Sequence, residues 1–448
     1  MKLHKIMSGN YFYSRIKLTV LMMCTVFTLG SCSFGTSIDN LMAPPKLSVE
    51  QEQIYDTLKS AAGQNISLKY PKSGPYLSAF ITEDIDGDGG NEAIVFYEKT
   101  GLTVEENTLR INVLDKFNNK WRSVCDTPAQ GSEIEKVMIS RLGTNNRINI
   151  IIGSSLINRS EKSITIYNYI PESGLIEKSF SSTYSFVDVT DLDSDKTNEL
   201  LILRGGISGA ASASASAYKL NGDGKYQEYK TDLNGSFNEF DQLVYGKIND
   251  TLKGLYIDAL SGTGTIQTDI IYMDSSGLKK VFASPEECAA TSRPSGCATT
   301  DIDGDGIYEI PVQRLFPGYS DKSESEQIKK TDWMYLKDGK MITKYSSYFS
   351  VTEGYAFIIP EKWRNKVTVK RDSINDETVF CKYENNTAGA ELLRIFIAKD
   401  SASREDRLSA GYYFLHSRGD ACYLAYPVAD EKMGLTAGEL ALYFKFVD

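Results

Sequence analysis

Apolar and polar residues alternate with a period of two along most of the chain, and clusters of Asp, Asn, Gly and Ser interrupt the alternation. Segments such as YLSAFITE and TYSFVDVT have the composition and period of strands. Stretches such as LRINVLDKFNNKWRSV, SITIYNYIPESGLIEKSF and TDIIYMDSSGLKKVF each hold two strands about a polar turn, a hairpin pattern. From Ala211 to Ala217 Ser and Ala alternate, which suits a strand where sheets approach closely or, equally, a small-residue loop. Helical signals are few. Ser48 with Gln51 makes a capping box for a helix to about Ala62 within residues 47–66, with Ile54, Tyr55 and Leu58 on one face. TAGELALYFKF from Thr436 has the character of a closing helix.

Three interruptions carry chemistry: DIDGDGGNE from Asp84, DLDSDKTNE from Asp191 and DIDGDGIYE from Asp301. Each places carboxylates at positions 1, 3, 5 and 9, giving Asp84, Asp86, Asp88, Glu92; Asp191, Asp193, Asp195, Glu199; and Asp301, Asp303, Asp305, Glu309. Four carboxylates in nine residues repel one another unless a hard cation binds them, and Ca²⁺ prefers oxygen cages. An EF-hand is excluded, because its position 12 needs a glutamate between helices and here holds Val95, Ile202 and Val312 in β-prone runs. Two degenerate copies, from Arg141 and Lys247, keep the apolar pattern without the acids. The five starts at 84, 141, 191, 247 and 301 fall at a regular period, each followed by a hairpin. Strand, loop, strand and hairpin make the four-stranded blade that propellers repeat. The expected fold is mainly β, a β-propeller of about five four-stranded blades over residues 67–349, followed by a small α+β domain over 350–448.

D-x-D-x-D-G-x-x-E between strands resembles the FG-GAP/VCBS-type repeats of integrin-like propellers. That resemblance implies structural calcium at up to three sites, with the carbonyls at position 7 (Gly90, Thr197 and Ile307) as further ligands. The loop at Asp191 departs from the pattern, with Lys196 where Gly89 and Gly306 stand. The opening of the last domain, with Tyr355, Phe357, Ile359, Pro360 and Trp363, is similar to the start of the PsbP/Mog1-like fold.

Residues 1–31 hold Lys2, Lys5, Arg15 and Lys17, no acid, and an apolar run from Leu18 to Leu29 too short to span a bilayer. Leu29-Gly30-Ser31-Cys32 resembles the lipobox of bacterial lipoproteins, which implies lipidation at Cys32, a tether over 32–46 and anchoring on the extracytoplasmic face of a bacterial membrane. The net charge of −10 over 448 residues falls further once this basic leader is removed, and argues against a nucleic-acid partner. Two histidines, His4 and His416, exclude His-rich metal sites. Cys288 could bridge to Cys297 and Cys381 to Cys422, leaving Cys125, or all five are free thiols. Arg418-Gly419-Asp420 matches a recognition tripeptide, a poor signal at three residues, and its Gly and Asp are what a hairpin turn requires anyway, which is the reading taken. With no catalytic motif and the clustered acids committed to metal, the chain is expected to be a binding or scaffold module for a protein or glycan. The alternative is a carbohydrate-active hydrolase or lyase using acids outside the loops.

Overall fold

The computed structural model describes residues 47–447 apart from 101–107, 145–147, 157–159, 208–210, 236 and 250. The leader, Cys32 and the tether lie outside the described residues. The chain divides into two compact units, Met1–Tyr55 and Asp56–Asp448. Helix α1 (Val49–Ala62) begins at the anticipated capping box: Ser48 N–H donates to Gln51 Oε1 at 3.0 Å and Gln51 N–H to Ser48 Oγ at 3.1 Å.

The second unit is mainly β, and its described residues form six antiparallel sheets in chain order. The first contains β1 (Ile66–Leu68), β2 (Phe80–Glu83), β3 (Glu92–Lys99), β4 (Leu109–Phe117) and β5 (Lys120–Pro128), with β1 and β2 both on β3. The second runs β6 (Glu133–Arg141), β7 (Ile148–Ser155), β8 (Lys162–Ile170), β9 (Leu175–Tyr184). The third runs β10 (Phe186–Thr190), β11 (Glu199–Arg204), β12 (Ser214–Leu220), β13 (Tyr226–Asp232). The fourth runs β14 (Glu239–Lys247), β15 (Lys253–Gly262), β16 (Thr265–Asp274), β17 (Gly277–Lys280), then helix α2 (Pro285–Ala289) and β18 (Arg293–Pro294), which returns to β16. The fifth takes β19 (Ile310–Leu315), β20 (Lys329–Lys337), β21 (Lys340–Ser350) and β22 (Tyr355–Ile358). The sixth takes β23 (Val367–Asp372), β24 (Glu377–Glu384), β25 (Thr387–Ala398), helix α3 (Ser401–Ser409), β26 (Tyr413–Arg418) and β27 (Ala421–Pro427). Helix α4 (Ala437–Tyr443) then leads into β28 (Phe444–Phe446), which adds to the fifth sheet beside β22.

Successive residues of one strand feed different cores, because side chains alternate across a strand. Ile150 and Ile152 enter the core shared with the first sheet, while Ile151 enters the core shared with the third. Leu200 and Ile202 face the second sheet, and Leu201 and Leu203 the fourth. Burial on both faces explains why these strands read as unbroken apolar runs rather than alternating ones. The Ser/Ala segment is a strand from Ser214 onward: Ala213, just ahead of it, and Ala215 and Ala217 within it join the third-to-fourth core, and Ser216 accepts from Arg204 Nη1 at 3.1 Å.

The segment 350–448 contributes to two sheets, so a boundary at 350 falls inside a sheet. β21 ends at Ser350 and pairs with β22, Tyr355 and Phe357 pair with Phe446 and Phe444, and all four share aromatic packing with the sixth sheet. The expected closing helix is correspondingly shorter. Thr436 and Glu439 cap α4 reciprocally, and the chain becomes extended at Phe444, whose ring stacks on Tyr355 at 5.3 Å.

Neither disulfide pairing holds; the five described cysteines are free thiols. Strands β24 and β27 each flank β25, where Cys381 pairs with Glu391 and Cys422 with Ala398. Two strand spacings, about 9.5 Å, and in addition the seven positions along β25 from Glu391 to Ala398 separate them, beyond the Cα reach of a disulfide. Cys288 Sγ lies 3.4 Å from Thr268 O and Cys297 Sγ 3.9 Å from Gln313 Nε2. Their loop is braced instead by Arg293, fully buried, whose Nη2 meets Asp258 Oδ1 at 2.8 Å and whose Nη1 donates to Thr268 Oγ1 at 2.8 Å. Arg418-Gly419-Asp420 is a hairpin turn: Arg418 pairs with Ala421, and Gly419 holds φ 57°. His416 is exposed, its ring edge-on to Phe446.

Candidate metal centre

All three acidic loops lie at one place in the architecture, just before a strand that begins a ladder. β2 and β3 bracket the first, with Glu83 paired to Glu92. β10 and β11 bracket the second, with Thr190 paired to Glu199. Ahead of β19 the incoming strand is reduced to a single bridge, Thr300 to Glu309. The position-9 glutamate is thus the first residue of a strand or its neighbour, and its side chain is driven inward. Glu92 is 1% exposed, Glu199 and Glu309 0%. One oxygen of each accepts a position-2 N–H: Ile85 to Glu92 Oε2 at 2.9 Å, Leu192 to Glu199 Oε2 at 2.9 Å and Ile302 to Glu309 Oε2 at 3.1 Å.

The remaining loop residues wrap around that glutamate through their own backbone. The position-1 aspartate accepts from position 6, Gly89 to Asp84 at 3.2 Å, Lys196 to Asp191 at 3.0 Å and Gly306 to Asp301 at 2.7 Å. The position-5 aspartate accepts from position 7, with Gly90, Thr197 and Ile307 donating to Asp88, Asp195 and Asp305 at 2.6, 2.8 and 2.9 Å. Such a path needs positive φ at positions 4 and 6, supplied by Gly87 and Gly89 (83° and 90°) and by Gly304 and Gly306 (77° and 81°). In the second loop Ser194 and Lys196 adopt the same region at 61° and 73°, so Lys196 does not break the turn.

Carboxylate oxygens of positions 1, 3 and 9 converge to within 4.8 Å in each loop: Asp84, Asp86 and Glu92; Asp191, Asp193 and Glu199; Asp301, Asp303 and Glu309. The position-5 aspartates stand outside this closest group. The donor set is all oxygen, the chemistry that suits Ca²⁺. Burial pushes Glu92, Glu199 and Glu309 up to about 7. Asp86 is also raised, by burial first and then by Asp88, Asp84 and Asp115.

The surroundings differ from loop to loop, a feature that sequence reading missed. Lys219 on β12 places Nζ 2.9 Å from Asp193 Oδ2, against Asp195 Oδ2, and 3.5 Å from Glu199 Oε1. Lys344 on β21 places Nζ 3.0 Å from Asp303 Oδ2, 2.6 Å from Asp305 Oδ2 and 2.9 Å from Glu309 Oε1, while Tyr345 donates to Asp303 at 2.8 Å. Although burial opposes it, Lys219 and Thr197 hold Asp195 down to about 2. Tyr345 and Lys344 likewise lower Asp303 against its burial. The ladder accounts for the difference. Leu200 pairs with Tyr218, which sets Lys219 beside Glu199; Ala93 pairs with Leu114, which sets Asp115 beside Glu92.

Near Lys344, a cleft of about 420 Å³ is lined by Phe316, Lys330, Tyr345, Arg364 and Tyr443, with Glu361 its one carboxylate. The facing acid pair of glycoside hydrolysis is not assembled there. No described helix is long and apolar enough to cross a membrane.

No protein-family model matches the chain, and no curated protein matches it. Solved structures give distant likenesses. A Bacteroides fragilis NCTC 9343 protein provisionally named a 6-phosphogluconolactonase is 11% identical at TM-score 0.26, over 73% of this chain and 95% of its own. A Lactobacillus plantarum protein is 10% identical at TM-score 0.27, over 73% and 96%. The rhamnogalacturonan lyase YesW is 10% identical at TM-score 0.24, over 64% and 63%. Nothing about this chain's chemistry follows from them.

Proposed function

We propose that the chain is a lipid-anchored extracytoplasmic lipoprotein whose sheets form a β-propeller of the FG-GAP/VCBS type, braced by calcium, and that it serves as a binding or scaffold module for a protein or glycan. The observation that carries the reading is the convergence of three carboxylates, one of them a buried glutamate, at the entry to a strand in three separate sheets. A cation there fastens an exposed loop to a buried strand, which is a structural task rather than a catalytic one. The succession of antiparallel sheets, each sharing a core with the next, supports a blade-like arrangement.

Thermal unfolding with 5 to 10 mM CaCl₂ and with EDTA tests the metal. Binding at about 10⁻⁴–10⁻³ M raises the melting temperature in calcium through mass action. Identical melting curves sink the reading. The partner is sought by crosslinking on intact cells, with Cys32→Ser expected to release the protein from the membrane.

A further inference from the structure

The three loops share one backbone but not one charge balance, and on this difference rests a narrower assignment that depends on the calcium reading above. In the third loop the ammonium of Lys344 donates to the carboxylates of positions 3, 5 and 9, whereas in the second Lys219 pairs with Asp193 and Asp195 and stands 3.5 Å from Glu199 Oε1, a buried oxygen that accepts no hydrogen bond. Positions 3 and 9 belong to the converging set, so, although neither lysine pairs with the position-1 aspartate, Asp191 or Asp301, a side-chain cation already stands beside each site. Its presence marks where positive charge is stabilised in this loop geometry.

In the first loop no Lys or Arg of the described residues forms an ion pair with Asp84, Asp86, Asp88, Glu92 or Asp115. Glu92 is 1% exposed; its Oε2 takes the Ile85 N–H, and no described donor reaches its Oε1. Asp115 adds a fifth carboxylate where Lys219 stands in the second loop. The formal charge is −5 at the first loop, against −2 at the second, where Lys196 and Lys219 are counted, and −3 at the third with Lys344. Buried carboxylates without a partner are costly, and a divalent ion with six to eight oxygen ligands is the partner this geometry accepts.

We propose that the first loop alone takes up calcium, while Lys219 and Lys344 serve the second and third loops as built-in counter-cations that keep metal out. Lysine is a compact point charge on a flexible stem, and it brings only one positive charge where calcium brings two. Displacing it would bury no new ligand and would leave an ammonium unpaired.

Calorimetric titration of the metal-stripped full chain with CaCl₂ decides the matter. The wild type is expected to bind one ion, Asp86→Asn none, Lys219→Met or Lys344→Met two, and the double Met variant three. Lys219→Arg and Lys344→Arg, which keep the charge, stay at one and control for misfolding in the Met series. Three ions in the wild type overturn the assignment while leaving calcium bracing intact. So does a single ion retained by Asp86→Asn, or a Met series that folds and stays at one. No calcium heat in any variant, together with no EDTA effect on melting, instead removes the calcium reading itself.

Discussion

Ser194 and Lys196 occupy the left-handed region where the other two loops use glycine, and both side chains are exposed. An L-residue there costs about 1–2 kcal/mol, while glycine gives back about 0.5–1 kcal/mol in unfolded-state entropy. Ser194→Gly and Lys196→Gly should therefore each stabilise the protein by about 0.5 kcal/mol, read as a higher urea midpoint with an unchanged slope. A lower midpoint would show that these side chains do more than tolerate the turn. At this scale the acids were legible, since positions 1, 3, 5 and 9 stand in plain order along the chain. Lys219 and Lys344 were not, because they lie 24 and 39 residues from the aspartates they meet. Only the strand register brings them in.

Elements followed the sequence where local rules decide them. Ser48 and Gln51 cap a helix at the place their spacing implies, and the loops at Asp84 and Asp191 fall between paired strands. Long-range pairing was harder to read. Phe444 and Phe446 sit in a segment with helical character, yet pairing with Tyr355 and Phe357 makes them a strand. Cysteine spacing suggested a braced loop at 288–297, and the brace is a buried ion pair, with Asp258 Oδ2 also accepting Thr299 N–H at 2.6 Å. Removing one partner of such a pair leaves a charge stranded. Asp258→Asn should cost about 3–5 kcal/mol, seen as a large drop in melting temperature. By contrast, the wild type should melt alike under reducing and oxidising conditions, as should Cys288→Ala with Cys297→Ala. A curve that responds to reductant in the wild type alone would restore the disulfide.

For the molecule as a whole, the second unit is a train of sheets in which each core is shared by neighbours, so damage at one sheet reaches the next. β28 is the clearest case, because it edges the fifth sheet while its rings pack among Tyr355, Tyr423 and Phe357 of the core shared with the sixth. Deleting residues 444–446 should loosen both sheets together, seen as loss of amide-exchange protection across β22 and across β25 to β27. Protection lost from β22 alone would show that the sixth sheet stands independently. Sheet succession could be anticipated from the repeat of strand, loop and hairpin. The joining of residue 355 to residue 446 could not, since no local pattern announces a partner so far along the chain.

That pairing also sets a clock. A chain that emerges amino end first can zip its first three sheets from neighbouring hairpins as each appears. The fifth cannot finish until the whole sixth sheet has followed it out. In the interval β22 presents an unpaired edge carrying Tyr355 and Phe357, the kind of surface to which stray strands add. The last stage of its biogenesis is therefore when the protein most needs a chaperone at the exit.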